Sequence, residues 1–316
     1  MKKLVSIIAP MYNEEEIVHK YCDAVFSVTH QLNDNYDFEI ILVDDGSKDK
    51  TNIYMQEEYN KNKKEISVVT LTRNFGLEGA VNAGLQVAKG DAIIVMDADL
   101  QDPPSLLPEF IKKWENGADI VVGSRVKRGN DSLFKKLGAG LYYKILDSLS
   151  GKLKLEKNAA NFRLLSKFAL EKLKKLPENN SVFRVTVPFL GMKTDIVEYE
   201  RDKRFSGKTK YSLKNMIPYA LNSITGISVE PLRRIYLFII ISFIVLIISI
   251  ASSILFNDTF RLIFIFTSFV SFFALMIFIA LSIMAEYIAQ IMIEVKGRPL
   301  SIIYDYKQSE NSNERN

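Results

Sequence analysis

The sequence predicts an α/β protein with a mostly parallel, Rossmann-like sheet, followed by a C-terminal two-helix transmembrane hairpin. Three observations predict it. Short β-branched apolar runs alternate with helical patterns in the first part of the chain, and the unusual polar residues fall directly after those runs. The chain then ends in two uncharged apolar stretches, Ile235 to Phe256 and Leu262 to Ala285.

Leu4 to Ala9 is the first strand run, and Asn13-Glu14-Glu15-Glu16 then opens a helical pattern reaching about Gln31, with acids expected in its first turn. The unit recurs. Phe38 to Val43 precedes a helix over Asp49 to Asn60, Ile66 to Leu71 precedes Leu77 to Ala88, Ala92 to Met96 precedes Pro104 to Glu115, and Asp119 to Val122 follows. Apolar runs separated by helices read as strands buried on both faces, hence a parallel sheet with helices on each side. In such sheets the ligand lies at the carboxyl ends of the strands.

Each terminal stretch exceeds 20 residues, enough for a helix rising about 1.5 Å per residue to cross a hydrocarbon core about 30 Å thick. Only Asn257-Asp258-Thr259-Phe260-Arg261 joins them. Arg233 and Arg234 precede the first span and Lys296 and Arg298 follow the second, which favours cytoplasmic flanks. The expected organisation is a cytoplasmic catalytic domain over residues 1–212, a juxtamembrane amphipathic helix over 213–232, two spans within 233–286 (about 235–256 and 262–285), and a cytoplasmic tail over 287–316. The protein is thus expected in the cell membrane, multi-pass. Leu213, Ile217, Ala220, Ile224 and Ile227 give the amphipathic helix its apolar stripe. Gly297 to Ile303 is expected to return as a short edge strand, and the polar run Gln308 to Asn316 to be disordered.

Composition averages these parts. A charged fraction of 25% and a net charge of +4 are too mild to point to nucleic acid. The basic residues gather ahead of the membrane, at Lys203, Arg204, Lys208, Lys210, Lys214, Arg233 and Arg234, where they can meet anionic lipid head groups or a substrate phosphate. The lone Cys22 rules out an intrachain disulfide, and His19 and His30 do not make a zinc site.

Three strand ends carry the chemistry: Pro10-Met11-Tyr12-Asn13-Glu14, Asp44-Asp45-Gly46-Ser47, and Asp97-Ala98-Asp99-Leu100-Gln101-Asp102-Pro103. Together they form an acidic mouth. Clustered carboxylates are costly unless a cation neutralises them, and oxygen donors without His or Cys suit Mg2+ or Mn2+. Asp99 and Gln101 stand two apart on a segment expected to be extended, so both can face one ion. Asp-Asp-Gly-Ser and Asp-x-Asp are weak signals singly; their order and position after successive strands give them weight.

With Arg73-Asn74-Phe75-Gly76, Gly123-Ser124-Arg125 and Arg204-Phe205-Ser206-Gly207-Lys208-Thr209-Lys210-Tyr211 added, the chain resembles the inverting family-two glycosyltransferases with the A-type nucleotide-sugar fold. Within them it is similar to polyprenyl-phosphate glycosyltransferases such as dolichol-phosphate mannosyltransferase and bactoprenol glucosyltransferases. The resemblance implies that Pro10, Tyr12, Glu14, Val43, Asp45 and Asp97 hold the nucleotide, and that Asp99 and Gln101 bind the Mg2+ or Mn2+ bridging its diphosphate. It implies Asp97, Asp99, Arg125, Arg204, Lys210 and Asn161 as the catalytic set, the cations holding phosphate oxygens.

One position departs from the family pattern. Relatives read Asp-Phe-Arg-Leu where this chain has Asn161-Phe162-Arg163-Leu164, and Asn cannot act as a base. A polyprenyl phosphate, already anionic near neutral pH, needs little proton removal. The activity so implied is inverting transfer of a sugar, from a nucleotide sugar of the UDP type, to undecaprenyl phosphate at the cytoplasmic face, by an enzyme in contact with membrane lipid and self-associated like its relatives. Two alternatives remain at this level: transfer to a hydroxyl acceptor such as a glycolipid or polysaccharide, and a non-catalytic membrane scaffold of the same fold.

Overall fold

The structure is a computed structural model and describes residues 2–126, 159–176, 183–200, 232, 235–255 and 259–314. The expected phosphate-binding Arg204 and Lys210, the basic cluster around them with Arg233 and Arg234, and the apolar stripe from Leu213 to Ile227 lie outside the described residues.

The strands are β1 (Lys3–Met11), β2 (Tyr36–Asp44), β3 (Ile66–Leu71), β4 (Ala92–Val95), β5 (Ile120–Arg125), β6 (Ala159–Ser166), β7 (Thr194–Tyr199) and β8 (Ile303–Lys307). They form one sheet in the order β7-β5-β6-β4-β1-β2-β3-β8. The β4-β1-β2-β3 block is parallel, as expected from its apolar runs. Sequence reading missed β6, which enters antiparallel between β4 and β5.

Side chains alternate across the strands, so successive residues feed two cores. Val5, Ile7, Ile40 and Leu42 pack with α1 (Val18–Thr29), α2 (Thr51–Lys61) and α4 (Leu107–Glu115). Ile8, Ile41, Val43 and Val95 pack on the opposite face with α3 (Leu77–Val87), α5 (Lys167–Leu173) and α6 (Phe183–Phe189). α3 lies so close to β1 that a Cβ on Gly84 would stand 2.4 Å from Ile8 Cγ2, which explains glycine in a helix interior.

Helix α1 begins at Val18, later than the sequence suggested, with no acid in its first turn. The reason is local. Glu14 N–H donates to Thr51 Oγ1 (2.8 Å), Glu15 N–H to Asp49 Oδ2 (3.3 Å), and Lys50 N–H to Glu15 Oε2 (2.9 Å), so these acids serve a loop–loop lacing instead of a helix start.

Two helices follow, α7 (Tyr236–Leu255) and α8 (Thr259–Lys296), and they pack against each other. Thr259 to Arg261 belong to α8 and not to a loop. The helix runs on past Ala285 to Lys296, and Ile265–Lys296 is, among the described residues, the one helix long and apolar enough to cross a membrane.

The chain then returns to the sheet. Gly297 to Ile302 is not strand, but Thr72 N–H donates to Ile302 O (3.0 Å), and β8 pairs antiparallel with β3 from Ile303 onward. The polar end beyond it is ordered, against expectation, as α9 (Glu310–Asn313). Its anchor is Glu39 on β2, fully buried and accepting from Ser6 Oγ (2.9 Å) and Ser67 Oγ (2.8 Å). Ser309 completes the cover, its Oγ donating to Glu39 (3.4 Å) and its N–H to Ser67 Oγ (2.9 Å). Burial pushes the Glu39 carboxyl above its ordinary range, and these hydroxyls oppose the shift.

Candidate functional site

The parallel register carries β1 and β2 to the same end, pairing Pro10 with Val43 and Met11 with Asp44. Val43 is fully buried in the core and Pro10 is buried beside it, while Tyr12 and Glu14 are half-buried in the loop beyond. That loop turns on Asn13, at φ 51°, a left-handed conformation that Asn tolerates better than most residues. Asn13 N–H donates to Ser47 Oγ (3.0 Å) and its Oδ1 accepts from Lys48 N–H (2.8 Å), binding the first two strand-end loops together.

The Asp-Asp-Gly-Ser turn organises the second wall. Asp44 accepts from Ser47 N–H and Asn52 Nδ2, each at 2.9 Å. Asp45 spans to the Arg73-Asn74-Phe75-Gly76 loop, its oxygens accepting from Phe75 N–H (2.7 Å) and Gly76 N–H (2.9 Å). Burial raises its carboxyl to about 6, against the pull of those two backbone bonds. Gly46 is obligatory, with φ +69° and backbone atoms of Arg73 and Asn74 2.5–2.9 Å from where a Cβ would sit.

The third strand end differs from the expected extended segment. Ala98 to Leu100 form a turn, Leu100 has φ 53°, and Gln101 N–H donates to Asp99 Oδ1 (3.2 Å). An Asp side chain that accepts from the backbone two residues on stabilises such a turn, so local hydrogen bonding overrides extension here.

Asp97 holds its carboxyl at about 6, raised first by burial and then by Asp102 and Asp99. Its Oδ1 is shielded from solvent with no hydrogen-bond partner. A buried carboxylate oxygen left so is costly, and a cation would relieve it. The oxygen donors of Asp97, Asp99 and Gln101 fit a hard divalent ion, which is commonly held by one or two carboxylates and keeps several waters. Among the described residues no three His, Cys, Asp or Glu converge into a closed metal cage.

Arg125, at the end of β5, is engaged by the protein. Its Nη2 donates to both oxygens of the fully buried Asp102 (3.0 and 3.2 Å), and its Nε to the Tyr199 hydroxyl (3.3 Å). Tyr199 O–H in turn donates to Asp102. Asp102 lies within the Asp97 to Pro103 motif, but Tyr199 lies 97 residues further on and carries no local signal.

Asn161 sits on β6, whose antiparallel run pairs Val95 with Arg163 and so carries Asn161 toward the Asp97 end of β4. It is 6% exposed, and its Oδ1 has no hydrogen-bond partner. Two residues carry contacts that the sequence did not indicate: Glu78, in the first turn of α3, accepts from Phe183 N–H (2.7 Å), and Arg163, part of the Asn161 to Leu164 motif and buried, donates from Nη1 to Arg184 O (3.1 Å).

The fold and the polar strand ends define an α/β protein that gathers its acidic residues at the carboxyl ends of its parallel strands. The profile of Glycosyl transferase family 2 matches residues 6–174, and the chain belongs to that family. It is 35% identical over 306 residues to the uncharacterised glycosyltransferase YkcC of Bacillus subtilis, covering 94% of this chain and 92% of that one. It is 34% identical over 314 residues to the prophage bactoprenol glucosyl transferase homolog of Escherichia coli (96% and 99%), and 36% over 309 residues to the bactoprenol glucosyl transferase of Shigella phage SfII (95% and 97%). Among solved structures, glucosyl-3-phosphoglycerate synthase of Mycobacterium tuberculosis, in complex with Mn2+, UDP-glucose and phosphoglyceric acid, shares the fold. Its TM-score is 0.50 at 20% identity, over 71% of this chain and 78% of that one.

Proposed function

We propose that the protein transfers a sugar, with inversion, from a UDP-linked donor to a polyprenyl phosphate such as undecaprenyl phosphate at the cytoplasmic membrane face. The observation that carries this reading is an acid-bearing site on the same chain as a membrane-length helix, in a sequence similar over nearly its whole length to bactoprenol glucosyl transferases.

Tyr12 and Glu14, on the laced β1 loop, are assigned to the nucleoside, with Pro10 and Val43 shaping the strand ends beneath it. Asp45 keeps the Arg73 to Gly76 loop against them. Asp99 and Gln101, with Asp97 beside them, are assigned to Mg2+ or Mn2+, which when bound neutralises charge on the departing diphosphate. Arg204 and Lys210 are assigned to phosphate oxygens. Asn161 cannot take a proton, which suits an acceptor that arrives as an anion and counts against a hydroxyl acceptor.

α8 is the membrane-length helix, and α7, apolar over 20 residues and packed against it, is assigned as its partner span; the Arg233-Arg234 and Lys296/Arg298 flanks support cytoplasmic ends. The test is to incubate membranes carrying the protein with radiolabelled UDP-sugars and magnesium, then extract with organic solvent. Label in a lipid that mild acid releases, lost in Asp99→Ala, is expected. Nucleotide binding with no labelled lipid from any donor would refute the proposal.

A further inference from the structure

Four buried polar atoms near the end of β4 have no hydrogen-bond partner: Asp97 Oδ1, Asn161 Oδ1, Glu78 Oε1 and Arg184 Nε. They come from four separate parts of the fold. The start of α6 is pinned from two sides, by Glu78 on Phe183 N–H (2.7 Å) and by Arg163 on Arg184 O (3.1 Å), while Arg163 Nε donates to Ala160 O (3.1 Å) next to Asn161. The charge of Arg184 is felt at both Asp97 and Glu78. Buried groups seldom stay unpaired, so a set of this size suits a bound polar molecule.

The kind of ligand follows from the donors and acceptors. Three of the orphans accept and one donates, and the Asn161 amide adds N–H donors. A phosphate dianion only accepts, so it would leave the three acceptors unpaired. A metal ion can satisfy Asp97 but not the Arg184 N–H. A hydroxyl both donates and accepts, and Asp97 and Glu78 are offset by Arg184 and Arg163, which leaves the set near neutral.

We propose that Asn161, Arg184 and Glu78 recognise the hydroxyls of an uncharged sugar ring beside Asp97, an inference that rests on the nucleotide-sugar reading. Asn161 and Arg184 touch the sugar. Glu78 both holds α6 in place and turns an acidic oxygen toward the ring, disfavouring sugars that carry a carboxylate.

The test is calorimetric binding of UDP, UDP-glucose and UDP-glucuronate to the full-length protein in detergent with magnesium. The parent is expected to bind UDP-glucose more tightly than UDP, and UDP-glucuronate no more tightly than UDP. Asn161→Ala and Arg184→Lys should each weaken UDP-glucose about tenfold while leaving UDP unchanged. Glu78→Gln, which keeps an acceptor for Phe183 N–H, should relax the discrimination against UDP-glucuronate. The two sugar-contact variants lie on different elements, so if one fails to fold the other carries the test. Equal losses for UDP and UDP-glucose, no loss for either, or a parent that gains nothing from the glucose would each overturn the proposal. Failure of UDP itself to bind the parent would instead sink the nucleotide reading beneath it.

Discussion

Replacing Arg125 by Met separates a structural role for this arginine from a substrate-binding one. Its partner Asp102 has a side chain only 1% exposed, and Arg125 itself is 21% exposed. Removing the guanidinium takes away both Nη2 bonds to the carboxylate and leaves Tyr199 as the neighbour holding a buried charge. Breaking a buried pair from one side costs about 3–5 kcal/mol. For a domain of this size each kcal/mol moves the midpoint by about 2–4 °C, so Arg125→Met should melt about 10 °C below the parent. Tyr199→Phe, which removes one hydroxyl, should cost about 1 kcal/mol. Replacing the whole pair, as in Arg125→Met with Asp102→Leu, should recover much of the loss because no charge stays buried. The single tryptophan, Trp114 on α4, makes intrinsic fluorescence a reporter of the catalytic domain. An Arg125→Met protein melting within about 2 °C of the parent, with transfer abolished, would refute this reasoning and return Arg125 to the phosphate role the family resemblance implies.

Gly46→Ala should lose about 2 kcal/mol or more and weaken nucleotide binding, since a left-handed residue and a Cβ pressed into the Arg73 backbone both oppose it; melting and UDP titration check this. The Asp97 carboxyl is raised to about 6, so the folded state takes up a proton more readily than the unfolded chain, and stability falls as pH rises from about 4 to 6. Without divalent ions, Asp97→Asn should therefore melt above the parent at pH 7.5, with the gain shrinking toward pH 4; a gain independent of pH would contradict the assignment. Truncation after Gln308 removes the Ser309 bonds to Glu39 and Ser67 and the backbone bonds of Glu310 and Asn311 to Lys63 and Lys64, and should cost about 2 kcal/mol in melting, where a disordered tail would cost nothing.

Local sequence carried the parallel half of the sheet, because each strand there is a continuous apolar run followed at once by its own helix. It also carried the three polar strand ends and the membrane-length helix, whose signals are runs of adjacent residues. The antiparallel β6 was not legible, because its placement between β4 and β5 depends on which sheet edge stays open once the parallel strands have formed. The polar segment after Gln308 reads as disordered until Glu39, some 270 residues away, is seen buried beneath it. The same holds for the partners of the site. Asp102 and Arg125 could each be singled out, but that they neutralise one another with Tyr199 is decided by three chain segments meeting, and the grouping of Glu78, Asp97, Asn161 and Arg184 by four. Strand and helix periodicity are short-range properties of neighbouring side chains, whereas the pairing of buried charges and orphaned hydrogen-bonding groups is settled only when distant segments exclude water together.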